Sequence, residues 1–168
     1  DKFQCYKSRL SDFDDGKASL LGDYLPQKLG FEPGENLVSL QFCGDYKGFV
    51  LFFFENGKAA KVPLSAYETK TNRKKLTGAY SDKSPLVTAM VLEEDAQIVL
   101  YSSDGRAAIF STAQLLPKTT RSTQGVAVMT LRKKAVLQNV RLLEESGITN
   151  PGRYRTKTIP SAGMLLKE

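Results

Sequence analysis

Hydrophobic residues in this chain are concentrated in two stretches that share one pattern of strand, turn and strand. Residues 48–67 read GFVLFFFENGKAAKVPLSAY, with an unbroken apolar run over Phe49–Phe54 and the turn pair Asn56-Gly57. An Asn-Gly pair tolerates positive φ at both central positions of a tight turn, so this stretch predicts a β-hairpin with Lys58–Leu64 as its return strand. Because the run is apolar at consecutive positions, it predicts a strand covered on both faces.

The same unit occurs again at residues 96–115, which read AQIVLYSSDGRAAIFSTAQL with the turn pair Asp104-Gly105. Gly105 follows Gly57 by 48 residues, and the two stretches align at that offset without a gap. A strand-built repeat of this period predicts propeller-like blades or a related array. We expect the two turns to be equivalent positions of successive blades.

Further strands are predicted after each hairpin. Leu86–Leu92 and Ala135–Leu143 lead out of the second and third repeats, so that each repeat has about four strands, as a propeller blade does. Shorter strands precede them, with Gly125 predicted to take the place of Gly78. The chain divides into blades near residues 2–43, 44–95 and 96–143, followed by an irregular basic tail at 144–168 that crosses the surface.

The first repeat is incomplete in this sequence. Leu10–Phe13 matches Leu64–Tyr67, which makes residues 2–13 the second half of an earlier copy, with Lys7 opposite Lys61. A helical turn is predicted at Leu25–Leu29 and a strand, of alternating polarity, at Glu35–Cys43. The apolar positions of the repeats predict a core made of Val50, Phe52, Phe54, Val62, Leu64, Ile98, Leu100, Phe110 and Val128, with Phe49, Leu51 and Phe53 at least partly buried.

Composition excludes several classes of function. The 168 residues contain no histidine, which removes Ser-His-Asp and Cys-His catalysis and histidine-based metal sites. Neither a phosphate-binding loop nor paired CxxC motifs are present, and a hydrolase is disfavoured. No apolar run approaches the roughly 20 residues of a membrane span, so we expect no membrane partner. Two cysteines, Cys5 and Cys43, are expected to be reduced thiols of a cytoplasmic protein. A chain without an initiator methionine is expected to be part of a longer protein.

Positive charge follows the repeat. The chain has a net charge of +6. Residues 57–83 contain seven basic and two acidic side chains, and residues 105–134 contain six basic side chains and no acid. The acids Glu93, Glu94 and Asp95 lie between these blocks. Both basic blocks cover a hairpin turn, its return strand and the loop that follows. Charges that served only solubility would not be expected to recur with the structural repeat in this way.

Two kinds of module fit this distribution. Basic residues at equivalent positions of successive blades form a continuous positive track, and a stiff polyanion can follow such a track through phosphate contacts. The alternative is a basic β-repeat module that binds another protein. A stable complex that is insensitive to salt, without retention of DNA, would favour the second interpretation.

The hairpins resemble a known family. FVLFFFENGKAAKVPLSAY and IVLYSSDGRAAIF, together with STQGVAVMTL, are similar to blades of the C-terminal domain of the A subunit of bacterial type IIA topoisomerases, which include DNA gyrase and topoisomerase IV. The resemblance covers residues 2–143. It implies an all-β fold, the β-pinwheel, a propeller-like disc in which neighbouring blades exchange strands. About two and a half to three of the family's usual five or six blades would be present.

The resemblance also implies a function. Domains of this family bind and bend duplex DNA around a basic perimeter for strand passage, without catalytic residues, metal or cofactor of their own. The implied partners are double-stranded DNA, the remainder of the A subunit and the ATPase B subunit. The glutamine-arginine-glycine-lysine box of gyrase is absent from these residues, so the choice between gyrase and topoisomerase IV stays open. The DNA-facing candidates carried over by position are Lys58, Lys61, Arg73, Lys74, Lys75, Arg106, Lys118 and Arg121.

Overall fold

The structure is a computed structural model that describes residues 1–71 and 73–167. Over these residues it consists of short antiparallel strands, one helix of five residues and several 3₁₀ turns. The strands are β1 Gln4–Tyr6, β2 Phe49–Phe54, β3 Lys58–Pro63, β4 Lys75–Thr77, β5 Leu86–Leu92, β6 Gln97–Ser102, β7 Arg106–Ser111, β8 Val126–Ala127, β9 Leu137–Leu142 and β10 Met164–Leu165. The helix is α1, Leu25–Leu29, as expected from the sequence, and the 3₁₀ turns are Leu10–Asp12, Leu64–Tyr67, Thr112–Gln114, Leu143–Glu145 and Pro151–Arg153. In the part of the chain described, no helix has the length and apolar character that crossing a bilayer requires.

Strands are exchanged between successive repeats. The first sheet pairs β1 with β4, the second sheet has the order β5-β2-β3-β8, and the third has the order β10-β7-β6-β9. The β2–β3 and β6–β7 hairpins each pair with a later strand of their own repeat, β5 or β9. The return strand β3 pairs instead with β8, which comes after the next hairpin. The return strand β7 pairs with β10, which comes from the tail. This exchange is the one implied by the resemblance, and the three sheets do not close into a ring.

The two hairpin turns are equivalent, as predicted. The Gly57 N–H donates to the Phe54 carbonyl at 3.0 Å, and the Gly105 N–H donates to the Ser102 carbonyl at the same distance. The prediction of positive φ at both residues of the turn pair is wrong, because only the glycines have it, at +78° and +75°. The chain turns one residue earlier, and the left-handed glycine then closes the hairpin.

Gly125 and Gly78 are not equivalent, which corrects the alignment of these strands. Cys5 and Ala59 are matching positions of successive repeats, since Lys7 lies opposite Lys61. The residue before the strand partner of Ala59 is Gly125, whereas the residue before the strand partner of Cys5 is Lys75. A Cβ at Gly125 would lie 1.9 Å from the Ala59 carbonyl oxygen, but one at Gly78 would meet nothing within 4 Å. Gly125 therefore permits the close approach of the exchanged strand, and Gly78 does not have this role.

The predicted core is confirmed. The face of β2 that carries Val50, Phe52 and Phe54 packs with β3 and with Tyr67 and Tyr80 in one cluster. The opposite face, with Leu51 and Phe53, packs against the third sheet in a second cluster. Phe53 is fully buried and Phe49 is half-buried. All nine residues predicted for the core are less than 9% exposed, because β2 lies between two sheets instead of facing solvent.

The predicted strand at Glu35–Cys43 is wrong. Residues 35–43 run past the edge of β5 without regular backbone pairing. The contacts are made by side chains, since Ser39 Oγ donates to the Ala89 carbonyl at 2.9 Å and the Val91 N–H donates to Gln41 Oε1 at 3.2 Å. Phe42 is 73% exposed. An alternating pattern needs a partner strand and a covered face, and the described residues supply neither.

Residues 144–167 contribute a strand and a buried side chain to the third sheet instead of only crossing the surface, contrary to the sequence expectation. Tyr154 is 1% exposed, in a cluster with Val99, Ala107 and Ile109. The Ile109 N–H donates to the Tyr154 carbonyl at 2.8 Å. β10 then pairs with β7 in the place that β8 takes beside β3. The tail was misread because its buried residues are separated by proline and glycine.

Both cysteines are free thiols, half-buried against the cluster on the first face of β2. Burial, with the neighbouring Cys43 thiol as a smaller contribution, raises the pKa of Cys5 to about 11. Burial likewise raises the pKa of Cys43. Neither side chain is therefore an activated nucleophile at neutral pH.

We predict that Phe52→Ala lowers the free energy of unfolding by about 3–5 kcal/mol, because it removes a buried ring from the cluster of β2. Phe42→Ala is the matched control, since Phe42 is 73% exposed against 6% for Phe52. Chemical denaturation measures both. A loss of less than about 1 kcal/mol for Phe52→Ala would show that β2 is not the covered strand described here.

The two hairpin glycines provide a second, matched test. Gly105→Ala should cost about 1–2 kcal/mol, the strain of a left-handed alanine, because a Cβ there meets nothing within 4 Å. Gly57→Ala should cost about 1–3 kcal/mol more, because its Cβ would lie 2.5 Å from the Met129 carbonyl oxygen. Equal losses in denaturant titrations would mean that the segment after β8 does not lie against the β2–β3 hairpin.

Candidate nucleic-acid interface

Two basic loops from successive repeats lie side by side. The first loop, described at residues 68–71 and 73–74, leaves the 3₁₀ turn Leu64–Tyr67 and leads to β4. The second loop, residues 116–124, leaves the turn Thr112–Gln114 and leads to β8. Because β8 returns to pair with β3, the second loop is brought to the sheet from which the first loop departs. The Lys118 N–H donates to the Lys61 carbonyl at 2.9 Å and fixes this approach.

The two loops form the walls of an open groove of about 630 Å³. Arg73 lines it from the first loop and Arg121 from the second. Both are DNA-facing candidates, and the sequence did not predict that they share one site. Glu68 is the only acidic residue of the lining. Hydroxyl groups supply the remaining polar surface, from Ser65, Thr69, Thr119 and Thr120.

The two arginines differ in how they are held. The Arg121 guanidinium lies 5.8 Å from the centre of the Tyr67 ring, a cation–π contact that orders a half-buried side chain. Burial raises the pKa of Tyr67, whose hydroxyl donates to the Ala79 carbonyl, so the ring stays neutral beneath the cation. Arg73 is exposed and has no ion-pair partner among the described residues. Both guanidiniums are thus available to an anion in the groove.

Two further candidates lie on the same loops. Lys74 and Lys118 are exposed, and the described residues include no salt-bridge partner for either. Lys75 is committed elsewhere, because its ammonium donates to Glu32 and lies 5.7 Å from the Tyr6 ring. That hydrogen bond raises the pKa of Lys75 and lowers the pKa of Glu32. A phosphate would have to compete with Glu32 for Lys75.

Lys61 does not face solvent, which corrects its assignment as a DNA-facing residue. It is 5% exposed, and its ammonium donates to Asp95 Oδ1 at 2.7 Å and to the Thr112 carbonyl at 3.2 Å. The Phe49 ring centre lies 4.5 Å from the same ammonium. A buried cation needs such partners, and Lys61 therefore joins the second and third repeats instead of the track. Asp95, set aside from the sequence as one of three acids out of phase with the track, holds this lysine.

Arg106 is also held internally. Its Nη1 donates to the Gly163 carbonyl at 2.9 Å, Nε lies 3.6 Å from Asp104 Oδ2, and the side chain is 14% exposed. Arg106 thus attaches the tail to β7. Lys58 is half-exposed, with its ammonium 3.5 Å from Gln124 Oε1 at the end of the hairpin. The candidates therefore differ in position. Arg73 and Arg121 line the groove, Lys58 lies at the end of a hairpin, and Lys61 and Arg106 are held internally.

A third basic segment was not selected as a site. Arg132, Lys133 and Lys134 are exposed on the turn before β9, where the Ala135 N–H donates to the Arg132 carbonyl. Lys134 has a φ of +68°, which is uncommon for a residue other than glycine. Lys70, on the first loop of the groove, is likewise exposed and was not selected. The available signal was the absence of any acid between residues 105 and 134.

These features define a class of fold, an open array of β-repeats that exchange strands and expose basic loops. Solved structures similar to it include C-terminal domains of DNA topoisomerase IV and of DNA gyrase A. A topoisomerase IV C-terminal domain superposes with a TM-score of 0.70 at 19% identity, over 84% of this chain and 46% of that chain. The chain therefore has the β-pinwheel fold predicted from the sequence.

Two other domains agree with this comparison. The C-terminal domain of DNA gyrase A has a TM-score of 0.53 at 19% identity, over 71% of this chain and 43% of that one. The C-terminal domain of E. coli ParC has a TM-score of 0.63 at 12% identity, over 89% of this chain and 68% of that one. This chain thus spans less than half the length of the topoisomerase IV and gyrase A domains. No protein-family model and no curated protein sequence matches the chain.

We predict that Asp95→Asn lowers the free energy of unfolding by about 1 kcal/mol at neutral pH, because it removes the charge that faces the buried ammonium of Lys61. The effect is limited because the Asp95 side chain is 43% exposed and solvent screens part of the interaction. The hydrogen bonds from Lys61 and then Thr112 hold the pKa of Asp95 below its usual value. Stability from this carboxylate is therefore complete above its ordinary pKa of about 3.9 and is lost as the pH falls through the depressed value.

The difference between the wild-type protein and Asp95→Asn should be constant from about pH 5 to 8 and should shrink below about pH 4. Denaturant titrations across this range measure it. The exposed acid Glu94 provides the control substitution, Glu94→Gln, which should have little effect at any pH. A difference for Asp95→Asn that grows as the pH falls would contradict the assigned pair.

Proposed function

We propose that this chain binds double-stranded DNA with little sequence preference and bends it, as a non-catalytic module of a type IIA topoisomerase A subunit. The main observation behind this proposal is that Arg73 and Arg121, from two successive repeats, line one groove, and neither has a salt-bridge partner among the described residues. Lys74 and Lys118 are exposed next to them on the same two loops, outside the lining of the groove. The fold, shared with C-terminal domains of topoisomerase IV and gyrase A, supports the same proposal.

The chemistry of the groove suits phosphate oxygens. Guanidinium groups form charge-assisted hydrogen bonds with phosphate, and threonine hydroxyls such as those of Thr119 and Thr120 add neutral donors. Contacts of this kind fix the position of a duplex but carry no sequence information. The single helix of the described chain has five residues and lies away from the groove lining, so it is not placed to read a major groove beside these loops.

Bending follows from the way the repeats are joined. Because β8 is part of the second sheet, the cations of one repeat are held at a fixed position relative to those of the next. A duplex that contacts both walls and the neighbouring repeats must follow that arrangement. Smooth bending of 20–30 base pairs costs on the order of 1–6 kcal/mol, which several phosphate contacts can offset.

The parent protein is part of the proposal. In it this module would hold the DNA segment to be passed, next to the remainder of the A subunit and the ATPase B subunit, in the cytoplasm. Cleavage and ATP hydrolysis would occur outside these residues, and the module itself would use no cofactor. Topoisomerase IV and gyrase domains both share the fold, so the proposal covers either parent.

A second candidate function is a protein-interaction module. Apolar side chains are exposed along residues 37–42 beside the edge of β5, with Leu40 at 70% and Phe42 at 73%. An exposed apolar row at a sheet edge is a common feature of protein contacts. This surface lies outside the lining of the basic groove, so the two functions can be tested with separate substitutions.

The proposed function predicts a salt-dependent affinity. A plot of log K against log salt for a duplex should be linear, with a slope near −0.9 for each phosphate contacted. Changing Arg73 and Lys74 to Ala should weaken binding to two unrelated duplexes about equally and make the slope shallower by about 1–2. Lys118 and Arg121, changed together, should behave in the same way because they form the opposite wall. Fluorescence anisotropy titrations measure both quantities.

Two controls sharpen this titration. Glu93→Ala with Glu94→Ala should leave binding unchanged or slightly stronger, and Asp95 is kept because it holds Lys61. Leu40→Ser with Phe42→Ser tests the apolar row and should leave DNA binding unchanged. If the groove variants retain the affinity and the slope of the wild-type protein, the basic loops are only a solvated surface. A salt-insensitive complex with another protein that is lost in the Leu40 and Phe42 variant, without retention of DNA by the parent, would favour the protein-interaction module.

A further inference from the structure

Two lysines at matching positions of the repeat hold the two walls of the groove. Lys7 follows β1 directly and Lys61 lies in β3, and the sequence places them opposite each other in successive repeats. Neither ammonium points into the groove lining. Each instead donates to a main-chain carbonyl in the 3₁₀ turn from which a loop of the groove departs, Tyr67 for Lys7 and Thr112 for Lys61.

Lys7 acts on the first wall. Its ammonium donates to the Tyr67 carbonyl at 3.1 Å and to Thr69 Oγ1 at 2.7 Å. The Thr69 hydroxyl donates in turn to the Thr71 carbonyl at 2.7 Å, which also accepts from the Arg73 N–H at 2.7 Å. A continuous series of hydrogen bonds therefore runs from a lysine of the first repeat to the backbone of the groove arginine.

Lys61 acts on the second wall from two sides. Its ammonium donates to the carbonyl of Thr112, the first residue of the 3₁₀ turn before loop 116–124, and to Asp95, whose Oδ1 also accepts from the Thr112 hydroxyl. Its main-chain carbonyl accepts from the Lys118 N–H. The start of the loop and its first exposed cation are both tied to this one residue.

The third repeat shows the contrast. Ile109 takes the position of Lys61, 48 residues later, and is buried. Its backbone is paired directly with the tail, since the Ile109 N–H donates to the Tyr154 carbonyl and the Thr156 N–H donates to the Ile109 carbonyl, both at 2.8 Å. The first and second repeats therefore have a lysine at this position, and each is followed by a repeat that carries a loop of the groove. The third repeat has an apolar residue there, and it is followed by the tail.

We propose that Lys7 and Lys61 are positioning residues that fix the spacing of the two groove walls, and hence the path of a bound duplex, without contacting phosphate. The part of the proposal that concerns DNA rests on the proposed function, and the part that concerns the spacing of the walls does not. Lys61 is buried and Lys7 is half-buried. An ammonium suits this role because it has three donors and can bond to acceptors of separate segments at once. Charge alone assigns Lys61 to the DNA-facing residues, and its burial corrects this assignment.

Replacement by methionine keeps the length of the side chain but removes the donors. Lys7→Met leaves the Tyr67 carbonyl and Thr69 without this donor, and Lys61→Met does the same to Thr112 and Asp95. The loops should then sample more positions. Lys118→Met is the matched control, because it removes an exposed cation of the same wall whose side chain holds no other segment.

The test measures the distance between the walls without DNA. Spin labels are placed at Lys70 and Ser122, which are exposed on opposite loops, in a protein whose Cys5 and Cys43 are changed to Ser. Double electron–electron resonance should show one narrow distance distribution for the parent and for Lys118→Met. Lys7→Met and Lys61→Met should at least double its width. An unchanged width in both variants would overturn the proposal.

Two further arms keep the result interpretable. If Lys61→Met does not fold, Lys61→Met with Asp95→Leu removes both charges and can restore stability, and it should still show the broad distribution. In salt titrations, Lys118→Met should make the slope shallower by about 0.9, whereas Lys61→Met should weaken binding several-fold at an unchanged slope. A shallower slope for Lys61→Met would make it a phosphate ligand and overturn the proposal. If the parent binds no duplex, the proposed function fails, and the distance measurement still decides the positioning role.

Discussion

The structure depends on one constraint, which is that no hairpin completes its own sheet. The return strand β3 receives its outer partner, β8, from a segment that follows the next hairpin, and β7 receives β10 from the tail. Gly125 makes this approach sterically possible, since any Cβ there would overlap the backbone of β3. Exchange joins consecutive repeats through backbone hydrogen bonds, and their loops therefore keep a defined relative position.

The basic residues look alike in the sequence but differ in how deeply they are buried. Lys61 and Arg106 have the same charge as their exposed neighbours, but each is almost enclosed and donates to the backbone of another segment. Arg73 and Arg121 lie instead on an open groove. The net positive charge of a repeat thus divides into cations that hold segments together and cations that remain available for a polyanion.

The hairpins, their equivalence and the core could be predicted because they depend on local pattern and on a repeat without gaps. The groove could not, because Arg73 and Arg121 are 48 residues apart and meet only through the pairing of β8 with β3. Strand β10 and buried Tyr154 were missed since their segment has no periodic apolar pattern. No strand forms at Glu35–Cys43, although its polarity alternates as in a strand, because this segment has no partner strand among the described residues.

Amide hydrogen exchange, measured with and without a duplex of about 30 base pairs, tests whether the two basic loops form one DNA-binding site. We expect slower exchange on binding in both loops of the groove together, with residues 36–43 and the buried strand β2 unchanged. Protection of only one loop would show that the two walls do not act as one site. Protection confined to residues 36–43, or none at either loop, would contradict the account.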